Sequence, residues 1–269
     1  MSAFLHEFIV FGLKEARACI FAGAFFLLLL LSVYLEVPYL HRYDFLFLAA
    51  LLLQALLVAT GIETRDELKV ICLFHVVGLA LELFKTHPSI GSWSYPEEGF
   101  FKIAGVPLYS GFMYAAVASY MIQSWRAFDL KLLNYPSYRL ALPLAIGIYA
   151  NFFTHHFIPD FRWWLGAAVL VVFRRTRVEF TVITKKRWMP VALSFFLIAF
   201  FVWIAENIST FLGAWQYPDQ QLGWKLVSFH KVGSWSLLVI ISFIIVAHLR
   251  HVKEVRRGIS EISTASVAG

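Results

Sequence analysis

Two glutamates stand at the ends of apolar segments, and each is followed by the same six-residue pattern. Glu82 precedes Gly-Ser-Trp-Ser-Tyr-Pro at 91–96, and Glu206 precedes Gly-Ala-Trp-Gln-Tyr-Pro at 213–218. A carboxyl group among apolar residues suits general acid or base chemistry, and the faces of Trp and Tyr rings stabilise a cation. The pattern therefore predicts Glu82 and Glu206 as catalytic groups. The predicted substrate-binding rings beside them are Trp93, Tyr95, Trp215 and Tyr217.

Further polar residues lie near the ends of other apolar segments. Lys85 follows Glu82 by three residues on the same helical face, and this spacing predicts a local ion pair. His155 follows Asn151 by four residues, again on one face, and we predict it as a third catalytic residue. The histidines lack spacings such as HExxH, so we expect neither a metal nor a cofactor. The remaining predicted substrate-binding residues are Lys85, Asn151, His156 and Asp160.

The segments that carry these residues have the composition of a membrane protein. Of 269 residues, 60% are hydrophobic and 15% charged, with a mean hydropathy of +0.71. Soluble domains are about half apolar and about a quarter charged, so a soluble enzyme, a disordered chain and a disulfide-stapled domain are excluded. We predict an all-α polytopic membrane helix bundle. Eight apolar stretches are the candidate transmembrane helices: 16–36, 43–61, 67–84, 106–125, 139–156, 160–174, 189–206 and 231–249.

The basic residues lie mainly on one side of these eight segments. Seventeen of the 23 Lys and Arg residues would face the cytoplasm, including the run at 174–187. This bias predicts cytoplasmic termini in the inner membrane, and it explains the net charge of +6 better than a nucleic-acid partner does. Residues 1–15 indicate an interfacial helix. In this topology the predicted site residues all fall at the outer side, where we expect them to line one cavity.

The repeated pattern predicts that the chain has two halves. Residues 1–130 would hold the interfacial N-terminal segment and four spans, and residues 131–269 four more spans with a short basic cytoplasmic tail. Four spans per half give both halves the same orientation, which makes the repeat parallel. Alternatively, Gly-x-Trp-x-Tyr-Pro is only an interfacial turn whose rings lie at the level of the lipid headgroups.

Several segments resemble an uncharacterised bacterial family of multi-pass membrane proteins, the YoaT type. The resemblance covers most of the chain from Glu82 to Ser242 and implies a membrane protein without an assigned activity. It is carried by Leu-Glu-Leu-Phe-Lys at 81–85, the pattern at 91–97, Gly-Val-Pro-Leu-Tyr-Ser-Gly-Phe-Met-Tyr-Ala-Ala at 105–116, Asn-Phe-Phe-Thr-His-His at 151–156 and the segment 213–224.

A shorter stretch resembles the membrane-integral carotenoid hydratases and lycopene cyclases. It has a helix-end glutamate, a turn with Gly, an aromatic residue and Tyr, and then Gly-Val-Pro-Leu at 105–108. Trp93 replaces the Phe-Gly of the hydratases, and Tyr109 and Ser110 replace the paired acids of the cyclases. The resemblance implies that a protonated carboxyl group starts the hydration or cyclisation of a polyprenoid by protonating a double bond. The matching residues before 105 are Glu82, Thr86, Gly91, Trp93 and Tyr95.

Three functions follow from these features, and the sequence leaves all three open. The first is an intramembrane enzyme that uses Glu82 and Glu206 on a polyprenoid or another lipid. The second is a transporter or channel, for a small molecule or coupled to protons, with its substrate between the two halves. The third is a non-catalytic membrane scaffold. The lipid bilayer is the expected partner in each case, and the sequence indicates no oligomeric state.

Overall fold

The computed structural model describes residues 2–267, with side chains for residue 2 and residues 4–249. Nine α-helices make up most of this part of the chain. They are α1 (Ala3–Ala18), α2 (Ile20–Tyr34), α3 (Arg42–Ala59), α4 (Arg65–Lys85), α5 (Ser110–Ala127), α6 (Tyr138–Thr154), α7 (Arg162–Val172), α8 (Val191–Phe211) and α9 (Lys231–Val267). Each of the eight predicted segments overlaps one of the helices α2 to α9, and the first also includes the end of α1. The charged side chains from Arg250 onward, which the topology prediction uses, lie outside the described side chains.

Three of these helices are long and apolar enough to cross a membrane. By length and composition of the described residues, they are α3, α8 and the Lys231–Leu249 part of α9. The pair of α1 and α2 adds a fourth if it counts as one bent span. These helices indicate a membrane protein and confirm a mostly helical fold. The larger number of eight spans stays a prediction, and α7, for example, is apolar but has only 11 residues.

The N-terminal segment forms a helix of its own, as predicted for a lead-in element. Ser2 caps α1 because its hydroxyl oxygen accepts the N–H of Leu5 at 3.2 Å. The axis of α1 is bent by 68° from that of α2. The apolar side chains of Phe4, Phe8 and Leu13 are all exposed on α1. The interfacial placement of α1 stays a prediction.

Helix α4 carries Glu82 in its last turn and has a well-defined start. Thr64 Oγ1 accepts the N–H of Glu67 at 3.3 Å, and Glu67 Oε2 accepts the N–H of Thr64 at 2.7 Å. This capping box satisfies two of the backbone donors that a helix N-terminus leaves free. The helix then runs for 21 residues and ends at Lys85. Glu82 and Lys85 consequently lie beside the loop that leads to α5.

Helices α4 and α5 approach each other closely through two glycines. A Cβ atom at Gly78 would overlap the ring of Tyr114, and a Cβ atom at Gly111 would lie 2.7 Å from the His75 ring. Only glycine allows a helix backbone to come this near to an aromatic side chain. The close approach places the Tyr114 side chain of α5 against α4, within reach of Glu82.

Five short strands depart from the all-α prediction. The first two form an antiparallel pair, and the other three form an antiparallel sheet in the order β3-β4-β5. They are β1 (Lys102–Ile103), β2 (Val106–Pro107), β3 (Lys131–Leu133), β4 (Arg177–Thr181) and β5 (Lys186–Pro190). The basic run at 174–187, predicted as a plain connection, therefore contributes to a β-hairpin. Strand β4, with the sequence Arg-Val-Glu-Phe-Thr, alternates polar and apolar residues. Such alternation is typical of a strand, because successive side chains point to opposite faces.

Candidate functional site

Glu82 is surrounded by neutral hydrogen-bond donors. Its side chain is 2% exposed. Oε2 accepts the Trp93 indole N–H at 2.7 Å and the Tyr95 hydroxyl at 2.8 Å, and Oε1 accepts the Tyr114 hydroxyl at 2.8 Å. The described residues include no ion pair to Glu82. We call Glu82, Trp93, Tyr95 and Tyr114 the first carboxylate cluster.

Glu206 has a similar environment in the second half of the chain. It is 2% exposed, in the last turns of α8. The Tyr217 hydroxyl donates to Oε1, and the Trp235 indole N–H donates to Oε2 at 2.6 Å. Lys231, the first residue of α9, interacts with Glu206 electrostatically. We call Glu206, Tyr217 and Trp235 the second carboxylate cluster.

The two Gly-x-Trp-x-Tyr-Pro loops lie against each other. Ser94 and Gln216 exchange two backbone hydrogen bonds, both at 2.9 Å, in an antiparallel bridge. The rings of Trp93 and Tyr217 meet edge to face with their centroids 6.2 Å apart. Each ring also donates to a glutamate, so the two carboxylate clusters are neighbours across the bridge.

Arg42, the first residue of α3, fixes the second loop to the first half of the chain. Its Nη1 atom pairs with Glu97 at 2.6 Å, and its Nη2 atom donates to the Leu212 carbonyl at 2.5 Å. Nη1 also donates to the Gly213 carbonyl at 3.3 Å. Carbonyl groups at a helix C-terminus lack helical partners, so the guanidinium group satisfies positions that α8 leaves open.

Burial keeps the two loop tyrosines protonated. Burial and then the proximity of Glu82 raise the pKa of Tyr95 well above its usual value. Burial and the proximity of Glu206 raise the pKa of Tyr217 in the same way. Both phenols therefore remain O–H donors at physiological pH, which is the role that they have toward the two carboxylates.

The Lys85 side chain contacts two histidines, and the predicted ion pair with Glu82 is wrong. Lys85 Nζ lies 2.8 Å from His156 Nε2 and 3.4 Å from His155 Nε2. The carboxylate oxygens of Glu82 are instead taken by the uncharged donors of its own cluster. We call Lys85, His155 and His156 the lysine–histidine cluster. Across the described residues, no three His, Cys, Asp or Glu side chains are grouped to hold a metal ion.

Asn151 and Asp160 hold the turn between α6 and α7. Asp160 Oδ1 accepts the Asn151 side-chain N–H at 3.0 Å and the backbone N–H of Arg162 at 2.9 Å. The Arg162 side chain also pairs with Asp160 at 3.1 Å. Partial burial opposes ionisation, but these hydrogen bonds and the Arg162 charge outweigh it and lower the pKa of Asp160. The Asp160 carboxylate is therefore committed to this turn.

Trp215 is placed differently from its counterpart Trp93. It is 7% exposed. It lines an open pocket of about 130 Å³ between the two loops. The other residues around this pocket are Pro96, Glu97, Thr210, Gly213, Gln216, Gln220 and Trp224. The single outer-facing cavity expected to hold every site residue stays a prediction.

Three residues of this region are absent from the site predicted by the sequence. The Tyr114 hydroxyl donates to Glu82 from α5. Trp235 has the same role toward Glu206 from α9, and Lys231 stacks on Tyr217. The sequence signal is the spacing, because each glutamate has an aromatic donor about thirty residues later on the next long helix. This regularity is visible only when the two halves are compared beyond the six-residue pattern, as far as the next long helix.

Comparisons with known proteins place the chain among proteins without an assigned activity. The sequence profile of a family described as "Protein of unknown function (DUF817)" matches residues 7–243. The chain is 55% identical over 250 residues to an uncharacterised protein of Bacillus subtilis (strain 168), YoaT, covering 93% of this chain and 94% of that protein. No solved structure matches. The resemblance to the YoaT type is confirmed, and the resemblance to carotenoid enzymes gains no support.

Proposed function

We propose that this chain, which belongs to the DUF817 family, is a proton-coupled carrier of a small solute in the cytoplasmic membrane. Glu82 and Glu206 would take up and release the coupled protons. The observation that carries this proposal is the first carboxylate cluster, in which a carboxylate 2% exposed has three uncharged donors and no described ion pair. Such carboxylates within membrane helices are typical of proton relays in transporters.

The proposed architecture has two halves of four spans each, at 1–130 and 131–269. Both halves would run in the same direction, with both termini in the cytoplasm, as the bias of basic residues favours. In such transporters the substrate site lies between the two repeats. The pairing of the two Gly-x-Trp-x-Tyr-Pro loops supports this location, because Trp93 of one half packs on Tyr217 of the other.

The hydrogen-bond chemistry supplies a link between protonation and the contact of the two halves. An indole N–H can donate but cannot accept, whereas a phenol can do both. A proton added to Glu82 Oε2 therefore competes with the Trp93 bond, while the Tyr114 hydroxyl can rotate to accept a proton on Oε1. On either oxygen the added proton neutralises the carboxylate, which weakens the Trp93 bond and so releases the ring that packs on Tyr217. Protonation of Glu82 would in this way loosen the contact between the halves.

A second function, acid catalysis on a polyprenoid, is favoured by the rings around both carboxylates. Trp93, Tyr95 and Tyr217 present faces that stabilise a carbocation. The enclosure of Glu82 argues against it, because an acid catalyst must touch its substrate. Lipid and carotenoid profiles of cells with the native protein and with E82Q test this alternative. Equal profiles contradict the enzyme, and a lipid that accumulates in E82Q cells supports it.

The carrier is tested in liposomes that enclose a pH-sensitive dye. A panel of small organic acids, amino acids and sugars is added outside, and proton entry is followed with each. We expect a solute-dependent pH change that E82Q and E206Q abolish. The matched control is E98Q, because Glu98 is exposed in the same loop as Trp93. If solute uptake by E82Q and by E206Q stays fully coupled to proton entry, the proposal is contradicted.

A further inference from the structure

The pocket between the two Gly-x-Trp-x-Tyr-Pro loops takes residues from both halves of the chain. Pro96 and Glu97 line it from the first half, and Thr210, Trp215 and Trp224 are among the lining residues from the second. Its volume is about 130 Å³. A protein cavity of roughly 150 Å³ binds benzene, so this pocket has room for a ligand with about one six-membered ring.

Two indole rings lie at this pocket, and both are held in place. Trp224 is 44% exposed, and its N–H group donates to Thr210 Oγ1 at 3.2 Å. Its ring also meets that of Phe211 edge to face, with the centroids 5.4 Å apart. Trp215 is 7% exposed and lines the pocket from the second loop. Fixed indoles provide flat apolar surfaces on which a ligand ring can stack.

Several hydrogen-bond donors of the pocket are already engaged within the protein. Gln216 Nε2 donates to the Gln220 carbonyl at 3.0 Å, and Gln220 Nε2 donates to the Lys225 carbonyl at 2.6 Å. Thr210 Oγ1 donates to the Glu206 carbonyl at 3.0 Å. These side chains consequently have no N–H or O–H group left for an anionic ligand, which needs donors.

Two side-chain acceptors at the pocket are unused. Arg42 pairs with Glu97 Oε1 at 2.6 Å, and no described hydrogen bond reaches Glu97 Oε2. No described hydrogen bond reaches Gln216 Oε1 either. Unused acceptors require a ligand that donates, as hydroxyl groups do. Because the Arg42 charge balances that of Glu97, the pocket favours an uncharged ligand over a cation.

We propose that this pocket binds a small uncharged molecule with several hydroxyl groups, such as a monosaccharide or a cyclic polyol. The C–H face of its ring stacks on Trp215 or Trp224, and its hydroxyl groups donate to Glu97 Oε2 and Gln216 Oε1. The role of this molecule rests on the proposed carrier function, in which it is the carried solute and meets the protein between the two halves.

Binding is measured by isothermal titration calorimetry on the purified chain. The detergent has no sugar headgroup, because such a headgroup would compete for the pocket. The probes are glucose, galactose, mannose and myo-inositol, and we expect at least one of them to bind with a dissociation constant of roughly 1 mM. Cyclohexanol, which has a ring of the same size but a single hydroxyl group, should bind about tenfold more weakly.

Two substitutions at the pocket should each weaken binding of the best probe about tenfold. W224L removes a stacking surface, and E97Q replaces a charged acceptor with a neutral amide. Both side chains are partly exposed, so both variants should fold, which an unchanged unfolding temperature verifies. The matched controls are W164L and E98Q, because Trp164 is exposed on α7 and Glu98 is exposed beside Glu97. Both controls should bind the probe as the native protein does.

Three outcomes overturn the proposed pocket: no probe binds the native protein, cyclohexanol binds as tightly as the best probe, or W224L and E97Q bind like the controls. Failure of the carrier proposal would look different. Glu82 does not line the pocket, so E82Q should still bind the probe in detergent while it loses the coupled pH change in liposomes. Native binding without any proton movement would contradict the carrier mechanism and leave the binding site in place.

Discussion

Replacement of Tyr114 by Phe removes a single oxygen atom from the first carboxylate cluster. The hydroxyl donates to Glu82 Oε1 at 2.8 Å, and the ring packs on Gly78 across the α4–α5 contact. Y114F keeps the ring and its packing, so its effect reports the hydrogen bond alone. The carboxylate retains the donors Trp93 and Tyr95 on its other oxygen.

The size of the effect depends on the charge of Glu82. A hydrogen bond to a charged group contributes about 1.5–3 kcal/mol. Side-chain hydrogen bonds in membrane proteins average about 0.6 kcal/mol. If Glu82 is ionised at neutral pH and takes up a proton as the pH falls, the loss of unfolding free energy in Y114F should fall from about 1.5–3 kcal/mol toward about 0.6 kcal/mol. A protonated Glu82 loses less because the Tyr114 bond is then neutral.

Reversible unfolding in mixed micelles at neutral and at acidic pH provides the free energy of unfolding. A double-mutant cycle with E82Q isolates the coupling between the two side chains. The control is Y135F, because the Tyr135 hydroxyl is buried without a described hydrogen-bond partner, and its removal should cost nothing. A cost of Y114F equal to that of Y135F would show that the bond to Glu82 contributes nothing, and a cost that does not change with pH would show that Glu82 keeps one charge state.

Three further predictions concern the surroundings of the site. Partial burial and the Lys85 charge lower the pKa of His156 from 6.5 to about 4. Between these two pH values the unfolded chain binds more protons than the folded chain, so the unfolding temperature should fall as the pH falls from 6.5 to about 4. The fall should be smaller in H156N. G78A should destabilise the fold by about 1–3 kcal/mol and weaken coupled uptake, since its methyl group displaces Tyr114; an unfolding free energy unchanged from the native value argues against a close contact. R42M should lower the free energy of unfolding by about 2 kcal/mol, because it removes charged hydrogen bonds to the end of α8. A protease should then cleave the loop after α8 faster than in the native protein. An unchanged cleavage rate would argue that Arg42 does not hold this loop.

The sequence predicts the first carboxylate cluster better than the lysine–histidine cluster. The repeated pattern connects Glu82 with Trp93 and Tyr95, because a duplicated loop after a duplicated glutamate is a local feature. The partner of Lys85 depends on how α6 packs against α4, and helical spacing alone predicts Glu82 instead. The uncharged donors of the first cluster take both oxygens of Glu82, so Lys85 turns to His155 and His156.

The helices could be predicted from hydropathy, but the strands could not be found that way. Apolar runs with charged ends predict the positions of α2 to α8 and the start of α9 within about five residues, but α9 continues to Val267. The strands β3, β4 and β5 contain charged residues that alternate with apolar ones. Their basic residues indicate a cytoplasmic connection and hide the strand pattern. β3 pairs with β4 from more than forty residues away, through Leu132 and Val178. No local pattern specifies such a pairing, because it depends on how α6 and α7, which lie between the two strands in the sequence, bring β4 beside β3.

A proton exchange at Glu82 within the membrane helices underlies the proposed carrier function. Infrared difference spectra of the reconstituted protein, recorded during a pH titration, detect the C=O stretch of a protonated carboxyl group. We expect such a band to appear as the pH falls through the physiological range, E82Q to remove it, and E98Q to leave it unchanged. A band that E82Q does not alter, or a Glu82 carboxylate that stays ionised throughout the titration, would contradict it.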